Sequence, residues 1–211
     1  MTVNLGFFAS GRGTNMQAVM DACNSGILDA KPCLVISNNS ESEALSRARR
    51  EGISGYHFSS KTHPDPVQLD QVILSALQQH QVDLVVLVGY MKRLGEKTLS
   101  AYEGRVINIH PALLPKYGGV GMYGIHVHEA VIAAGDQETG VTIHLVDREY
   151  DHGDILAQCR LPVLKGDSAS TLAGRVLERE HTFLVETLKR IIEGEIKLPV
   201  GNGFKNEGHN G

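Results

Sequence analysis

Leu84-Val85-Val86-Leu87-Val88 is an apolar run with no polar alternation. A strand with one wet face alternates, and an amphipathic helix repeats its apolar positions every three to four residues. An unbroken β-branched run is what a strand covered on both faces requires, and such strands belong to parallel sheets. The segments before it fit that demand. Leu5 to Ala9, Pro32 to Ile36 and the Tyr56–Phe58 region are strand-like. Between them Met16, Val19, Met20 and Cys23, then Ala44, Leu45 and Ala48 up to Gly52, then Leu69, Val72, Ile73 and Leu77 after Pro64 and Pro66, fall at helical spacing. Alternating strand and helix predicts a doubly wound α/β sheet.

The second half predicts a fifth strand from Arg105 to Ile109 ending at His110-Pro111, and a glycine- and proline-rich loop from Ala112 to Ile125. A helix from His126 to Ala134 closed by Gly135 follows. Two strands, Val141–Val146 and Ile155–Val163, are joined across Tyr150-Asp151-His152-Gly153. A long helix covers about 169–194, with Asp167 or Ser168 as its N-cap. The polar, glycine-rich end from Pro199 to Gly211 is expected to be mobile.

With 42% hydrophobic and 21% charged residues in 211, the chain has the composition of an ordinary globular domain. No apolar run approaches the ~20 residues of a membrane span. The first residues lack the basic region of a secretory signal, so a cytoplasmic protein without membrane partners is expected. Twenty basic against 24 acidic residues give a net charge of −4, which argues against nucleic acid as a partner. Cys23, Cys33 and Cys159 show no C-x-x-C spacing and read as reduced core thiols.

Ser10-Gly11-Arg12-Gly13-Thr14-Asn15 joins the first strand to the first helix. Glycines permit a left-handed turn, and a helix start offers free N–H groups to a phosphate; a plain strand–helix turn would look the same. No Gly-Lys-Ser/Thr follows, so this is not a nucleoside-triphosphate loop. Met16 replaces the third glycine of the dinucleotide fingerprint, and the second strand ends in Ser37-Asn38-Asn39 without a ribose-binding acid. A phosphate monoester fits best.

Asn108-Ile109-His110-Pro111 lies at the carboxyl end of a predicted strand, where open α/β sheets bind ligands. Period-two alternation puts Asn108 and His110 on one face. An amide and an imidazole side by side suit a carbonyl: one polarises its oxygen, the other moves a proton. A core histidine bonded to backbone is the alternative. Asp151 sits in a tight turn, where local geometry alone favours aspartate, but a catalytic histidine needs a carboxylate to fix its tautomer. Glu180 falls inside the apolar stripe Val176, Leu177, Phe183, Leu184, Leu188, Ile191 and Ile192. There it either bonds neighbouring backbone or His181, or faces a ligand's hydroxyls. His110, His126, His128, His144 and His152 crowd together, yet His126 and His128 would diverge on a helix, so no metal is expected.

Ser-Gly-x-Gly-Thr-Asn, Val-x-x-Gly-Tyr-Met-Lys, Asn-Ile-His-Pro-Ala-Leu-Leu-Pro and Tyr-Asp-x-Gly-Asp-Ile occur here in one order, and from about Val3 to Pro199 the chain resembles the phosphoribosylglycinamide formyltransferase family. The resemblance implies a mostly parallel seven-stranded sheet with a Rossmann-like first half, and a cis Leu114–Pro115 bond. It implies one domain over 1–198, with residues 1–104 holding the nucleotide phosphate and 105–198 the catalytic and folate chemistry. The implied reaction moves a formyl group from 10-formyltetrahydrofolate to the amine of a glycinamide ribonucleotide, without metal. Asn108, His110 and Asp151 would be catalytic, with protonated His110 beside the oxyanion. Gly13, Thr14 and Asn15 would hold the phosphate, Glu180 the ribose. Met91, Lys92, Arg93 and Leu94, with Asn108 and the Asp147–Asp151 turn, would hold the folate. The partners are then small molecules, and the protein a monomer or homodimer.

Within the superfamily, formyltetrahydrofolate hydrolase normally carries an extra N-terminal domain, and methionyl-tRNA formyltransferase a C-terminal one with a basic surface. The hydrolase, which shares the trio but transfers to water, and a non-catalytic phosphate-ligand binder, which would not need the trio, are the alternative readings. Two departures stand out. Pro66 aligns where several members place an arginine for the folate glutamate tail, with Lys61 and His63 as stand-ins. The loop 117–125 is longer than in the best-known members, and it precedes His126 and His128, candidates for reaching the phosphate.

Overall fold

The computed structural model of the protein describes residues 2–199; the tail expected from 199 onward lies, Pro199 excepted, outside the described residues. The chain runs β1 (Val3–Phe8), α1 (Thr14–Asn24), β2 (Ala30–Ser37), α2 (Glu43–Arg50), β3 (Ser54–His57), α3 (Pro66–Gln79), β4 (Leu84–Leu87), α4 (Glu96–Ala101), β5 (Val106–His110), α5 (Ile125–Ala133), β6 (Glu138–Leu145), β7 (Ile155–Pro162) and α6 (Ala169–Ile192). One seven-stranded sheet has the order β3-β2-β1-β4-β5-β6-β7. The first five strands are parallel and β6 and β7 antiparallel.

The apolar run of β4 divides as its pleat requires. Leu84, Val86 and Val88 join a core under α1, α2, α5 and α6, while Val85 and Leu87 join a second core under α3 and α4. Both faces are covered, so no position of this strand can be polar. Each such buried side chain contributes roughly 1.5–3 kcal/mol relative to exposure. The chain leaves β1 for β2 on one side and comes back to β4 on the other. The sheet therefore reverses its winding between β1 and β4, which opens a crevice beyond their carboxyl ends.

Ser168 caps α6, with its hydroxyl accepting from Thr171 N–H and its own N–H donating to the Thr171 hydroxyl. Asp167 accepts instead from Leu164 N–H and from Arg175. Three features depart from the sequence-based expectation. Helix α4 was not expected; its first turn is capped from α3 by Asp70, whose carboxylate accepts from Lys97 N–H, Thr98 N–H and the Thr98 hydroxyl. Strand β6 starts at Glu138 rather than Val141, because pairing with β7 extends to Pro162 and buries Thr139. Phe58 lies just past β3 and stacks on Tyr56.

Candidate functional site

The carboxyl ends of β1, β4 and β5, the 147–151 turn and one face of α6 surround a cavity of about 920 Å³. Twelve of the residues given roles in the sequence reading line it: Gly13, Thr14, Asn15, Met91, Lys92, Arg93, Leu94, Asn108, His110, Asp147, Asp151 and Glu180. His128 and His144 line it too, and His126 does not. Lys61, His63 and Pro66 stand outside the lining.

At one end, Gly13 is the N-cap of α1 with φ +68, and neither a side-chain cap nor an acidic residue occupies the first turn. The turn therefore presents its N–H groups and dipole to an anion. Packing also demands this glycine, since a Cβ would lie 2.8 Å from that of Ala44. Glu180 faces the same end from α6 and is buried. Burial pushes its carboxyl from 4.5 up to about 7, with the Asn15 amide pulling the other way. Asn15 Oδ1 is itself buried without a partner. His181 Nε2, next along α6, is buried without a hydrogen-bond partner.

Residues 89–94 form a second wall, tied to the glycine loop through Ser10. Ser10 N–H donates to Gly89 O at 3.0 Å, and Met91 N–H donates to the Ser10 hydroxyl at 2.7 Å. From this wall Arg93 reaches 4.4 Å over the Tyr150 ring of the opposite turn, and Arg148 of that turn pairs with Glu96 at 2.8 Å. The Asp147 carboxylate is engaged within its own turn by Glu149 N–H and His152, so its side chain shapes the wall. Met91, Tyr123 and Tyr150 give the rim an apolar and aromatic character suited to a flat heterocycle.

Between these ends lies the chemistry. His110 Nε2–H donates to Tyr117 O at 2.7 Å, which leaves Nδ1 toward Asp151 Oδ1 at 3.6 Å. Burial holds the imidazole below its ordinary pKa of 6.5, against the pull of Asp151 and the Tyr117 carbonyl. In the open cavity desolvation thus outweighs the pull of Asp151 and of the Tyr117 carbonyl. Burial raises the Asp151 carboxyl, but His144, His110 and Gly119 N–H outweigh it and hold it below 3.8. Asp151 stays ionised.

Sequence reasoning gave His144 no part in this group. It lies directly across the ladder from Asn108. Its Nδ1–H donates to Leu145 O at 2.7 Å, and its Nε2 faces both the Asn108 amide nitrogen at 3.1 Å and Asp151 Oδ1 at 3.6 Å. An Asn108 N–H reaches Asp151 Oδ1 at 3.4 Å, the limit of a hydrogen bond. Only the antiparallel register, invisible in the sequence, brings His144 there. His128 is also buried, with Nδ1 unpartnered.

Among the described residues no group of three or more His, Cys, Asp or Glu is placed to hold a metal ion. No described helix is long and apolar enough to cross a membrane. The three cysteines are free thiols, and burial raises Cys23 and Cys33 to about 11.

A doubly wound sheet with an anion-ready helix start, a histidine–carboxylate pair and an aromatic-rimmed wall in one cavity defines a group-transfer enzyme. Residues 3–188 match the formyl transferase family, and the chain belongs to it. It is 39% identical over 90% of its length to phosphoribosylglycinamide formyltransferase of Haemophilus influenzae, 87% of which is covered. It also superposes on glycinamide ribonucleotide transformylase 1 of Symbiobacterium toebii with a TM-score of 0.85 at 34% identity, covering 92% of this chain and 89% of that one. A formyltetrahydrofolate deformylase from Pseudomonas syringae is more distant, at 26% identity and a TM-score of 0.81, with 62% of that chain covered.

Proposed function

We propose that the protein transfers a formyl group from 10-formyltetrahydrofolate to the primary amine of glycinamide ribonucleotide, in purine biosynthesis. One observation supports this: a single cavity of about 920 Å³ holds an uncapped helix start, the His110–Asp151 pair and an apolar, aromatic rim, which suits a phosphate ester and a flat heterocycle meeting at the pair.

The phosphate lies on the first turn of α1 at Gly13, Thr14 and Asn15, and the ribose hydroxyls donate to Glu180. The backbone and apolar groups of Met91–Leu94 and of the Asp147–Asp151 turn hold the folate, whose part is to supply an activated formyl group. Asn108 turns the N–H of its 3.4 Å contact from Asp151 to the formyl oxygen. As the amine nitrogen bonds to the formyl carbon, neutral His110 takes the proton the amine loses, and Asp151 stabilises the cation so formed. The cation sits beside the negative charge gathered on the oxygen. When the bond from carbon to the folate nitrogen breaks, His110 returns its proton to that nitrogen, and the ring is neutral again.

Asn108 and His110 supply the polarisation, so no metal is required, and a chelator leaves the rate unchanged. The partners are small molecules, and the protein acts in the cytoplasm as a monomer or homodimer. The test mixes 10-formyltetrahydrofolate with the protein, with and without glycinamide ribonucleotide, and follows loss of the formyl group. Loss only with the amine is expected. Equal loss without it would make the protein a hydrolase.

A further inference from the structure

The backbone of residues 117–119 touches both members of the catalytic pair. Tyr117 O accepts from His110 Nε2–H at 2.7 Å, and Gly119 N–H donates to Asp151 Oδ2 at 2.9 Å. Gly118 between them has no room for a side chain, because a Cβ would meet Leu114 Cδ2 at 2.5 Å and Asp151 Cβ at 3.2 Å. This bracket is not at rest by itself: Tyr117 stands at φ +59, a left-handed conformation that side chains disfavour. Something outside it must hold it. The Tyr117 ring packs on the main core, and its hydroxyl donates to Asp136 Oδ2 at 2.8 Å. Lys116 Nζ donates to both oxygens of the same carboxylate, at 2.7 and 2.6 Å. Asp136 is anchored in turn at the end of α5, its N–H directed to Val131 O.

We propose that Asp136 is a positioning residue for the reaction: by clamping Tyr117 it fixes the 117–119 bracket, and so the separation and proton affinity of His110 and Asp151, without touching either. The inference rests on the catalytic role proposed for that pair. In the histidine cation both ring nitrogens point at acceptors, Tyr117 O and Asp151 Oδ1, so the bracket favours the charged form that the reaction passes through. The Tyr117 carbonyl indeed raises the His110 pKa, against burial. Releasing the clamp removes one acceptor and lowers it further. The other titratable groups facing His110 are Asp151, whose Oδ2 the same bracket holds through Gly119 N–H, His144 on β6 and His128 on α5.

Tyr117→Phe removes one hydroxyl and keeps the packed ring, and Asp136→Asn removes the charge. In the full chain, each should lower kcat about tenfold, a part of the roughly 10²–10⁴-fold that general acid–base groups supply, with KM for both substrates held. The His110 imidazole resonances of the ligand-free protein should titrate at lower pH than in wild type. Folded variants with wild-type kcat and an unshifted His110 titration would overturn the clamp. Wild-type turnover in His110→Ala would instead overturn the catalytic reading, while the titration in the ligand-free chain would still decide whether Asp136 sets the state of His110.

Discussion

Glu180 places a carboxylate where an apolar residue would serve the core better, and pH separates its cost from its use. Its pKa in the fold, about 7, lies above the ordinary 4.5. A raised carboxyl binds its proton more tightly folded than unfolded. The associated stability is therefore complete below 4.5 and is lost as pH rises through 7. Glu180→Gln should then be more stable than wild type at pH 8, by at most about 3 kcal/mol, and about level with it at pH 4. The same variant should bind the ribonucleotide roughly 10–100-fold more weakly, since charge-assisted hydrogen bonds contribute about 1.5–3 kcal/mol. Gaining stability while losing affinity marks a functional carboxylate, and melting curves with parallel pH dependence would show an ordinary structural one. His110 and Asp151 make a second prediction at this scale. Asp151→Asn and His110→Ala should each cost about 10²–10⁴-fold in kcat. Because they act as a unit, the double variant should be little worse than either; penalties that multiply would show separate roles.

Among the elements, α4 shows how a short segment can govern the site. It begins directly after the 89–94 wall, and its first turn hangs on the buried carboxylate of Asp70 in α3. Asp70→Ala should cost about 2 kcal/mol, the loss of a cap together with a stranded Thr98 hydroxyl. It should raise KM for the folate while leaving that for the ribonucleotide in place. If the protein is destabilised and neither KM moves, Ser10 alone fixes the wall. The sequence could not announce this helix: six residues carry no apolar period, and the cap comes from 26 positions before the helix starts. It did announce β4, whose unbroken apolar run has only one home, and β5, where alternation put Asn108 and His110 together. His144 stayed hidden because its partner across the ladder exists only after β6 folds back. Tyr117 stayed hidden because its contribution is a carbonyl, which every residue has. Glu180 was legible for the opposite reason, as a charge in an apolar stripe with no local remedy. The length of loop 117–125 was legible too, but not that its first residues bond His110 and Asp151.

At the scale of the whole molecule, the cavity belongs to neither half of the chain. Residues 1–104 supply the start of α1 and the 89–94 wall, residues 105–198 the His110–Asp151 pair, the 147–151 turn and Glu180. The halves share one sheet through β4 and β5, and α6 packs on α1 as well as on α5 and β6. Val88, Ile109 and Leu184 lie in the same core. A boundary at residue 104 would therefore cut through buried apolar surface on both faces of the sheet. The chain should behave as one cooperative unit from 1 to 198, with a single thermal transition and coincident loss of near- and far-ultraviolet dichroism. A ligand that binds only the folded form at about 100 times its Kd adds roughly 2.7 kcal/mol. In a domain of this size that is a rise of roughly 5–10 °C in Tm. Ribonucleotide and folate, proposed to bind different walls, should each move the whole transition by such an amount. Two transitions, of which the ribonucleotide moves only one, would show that the halves fold separately and that the catalytic pair is assembled between domains.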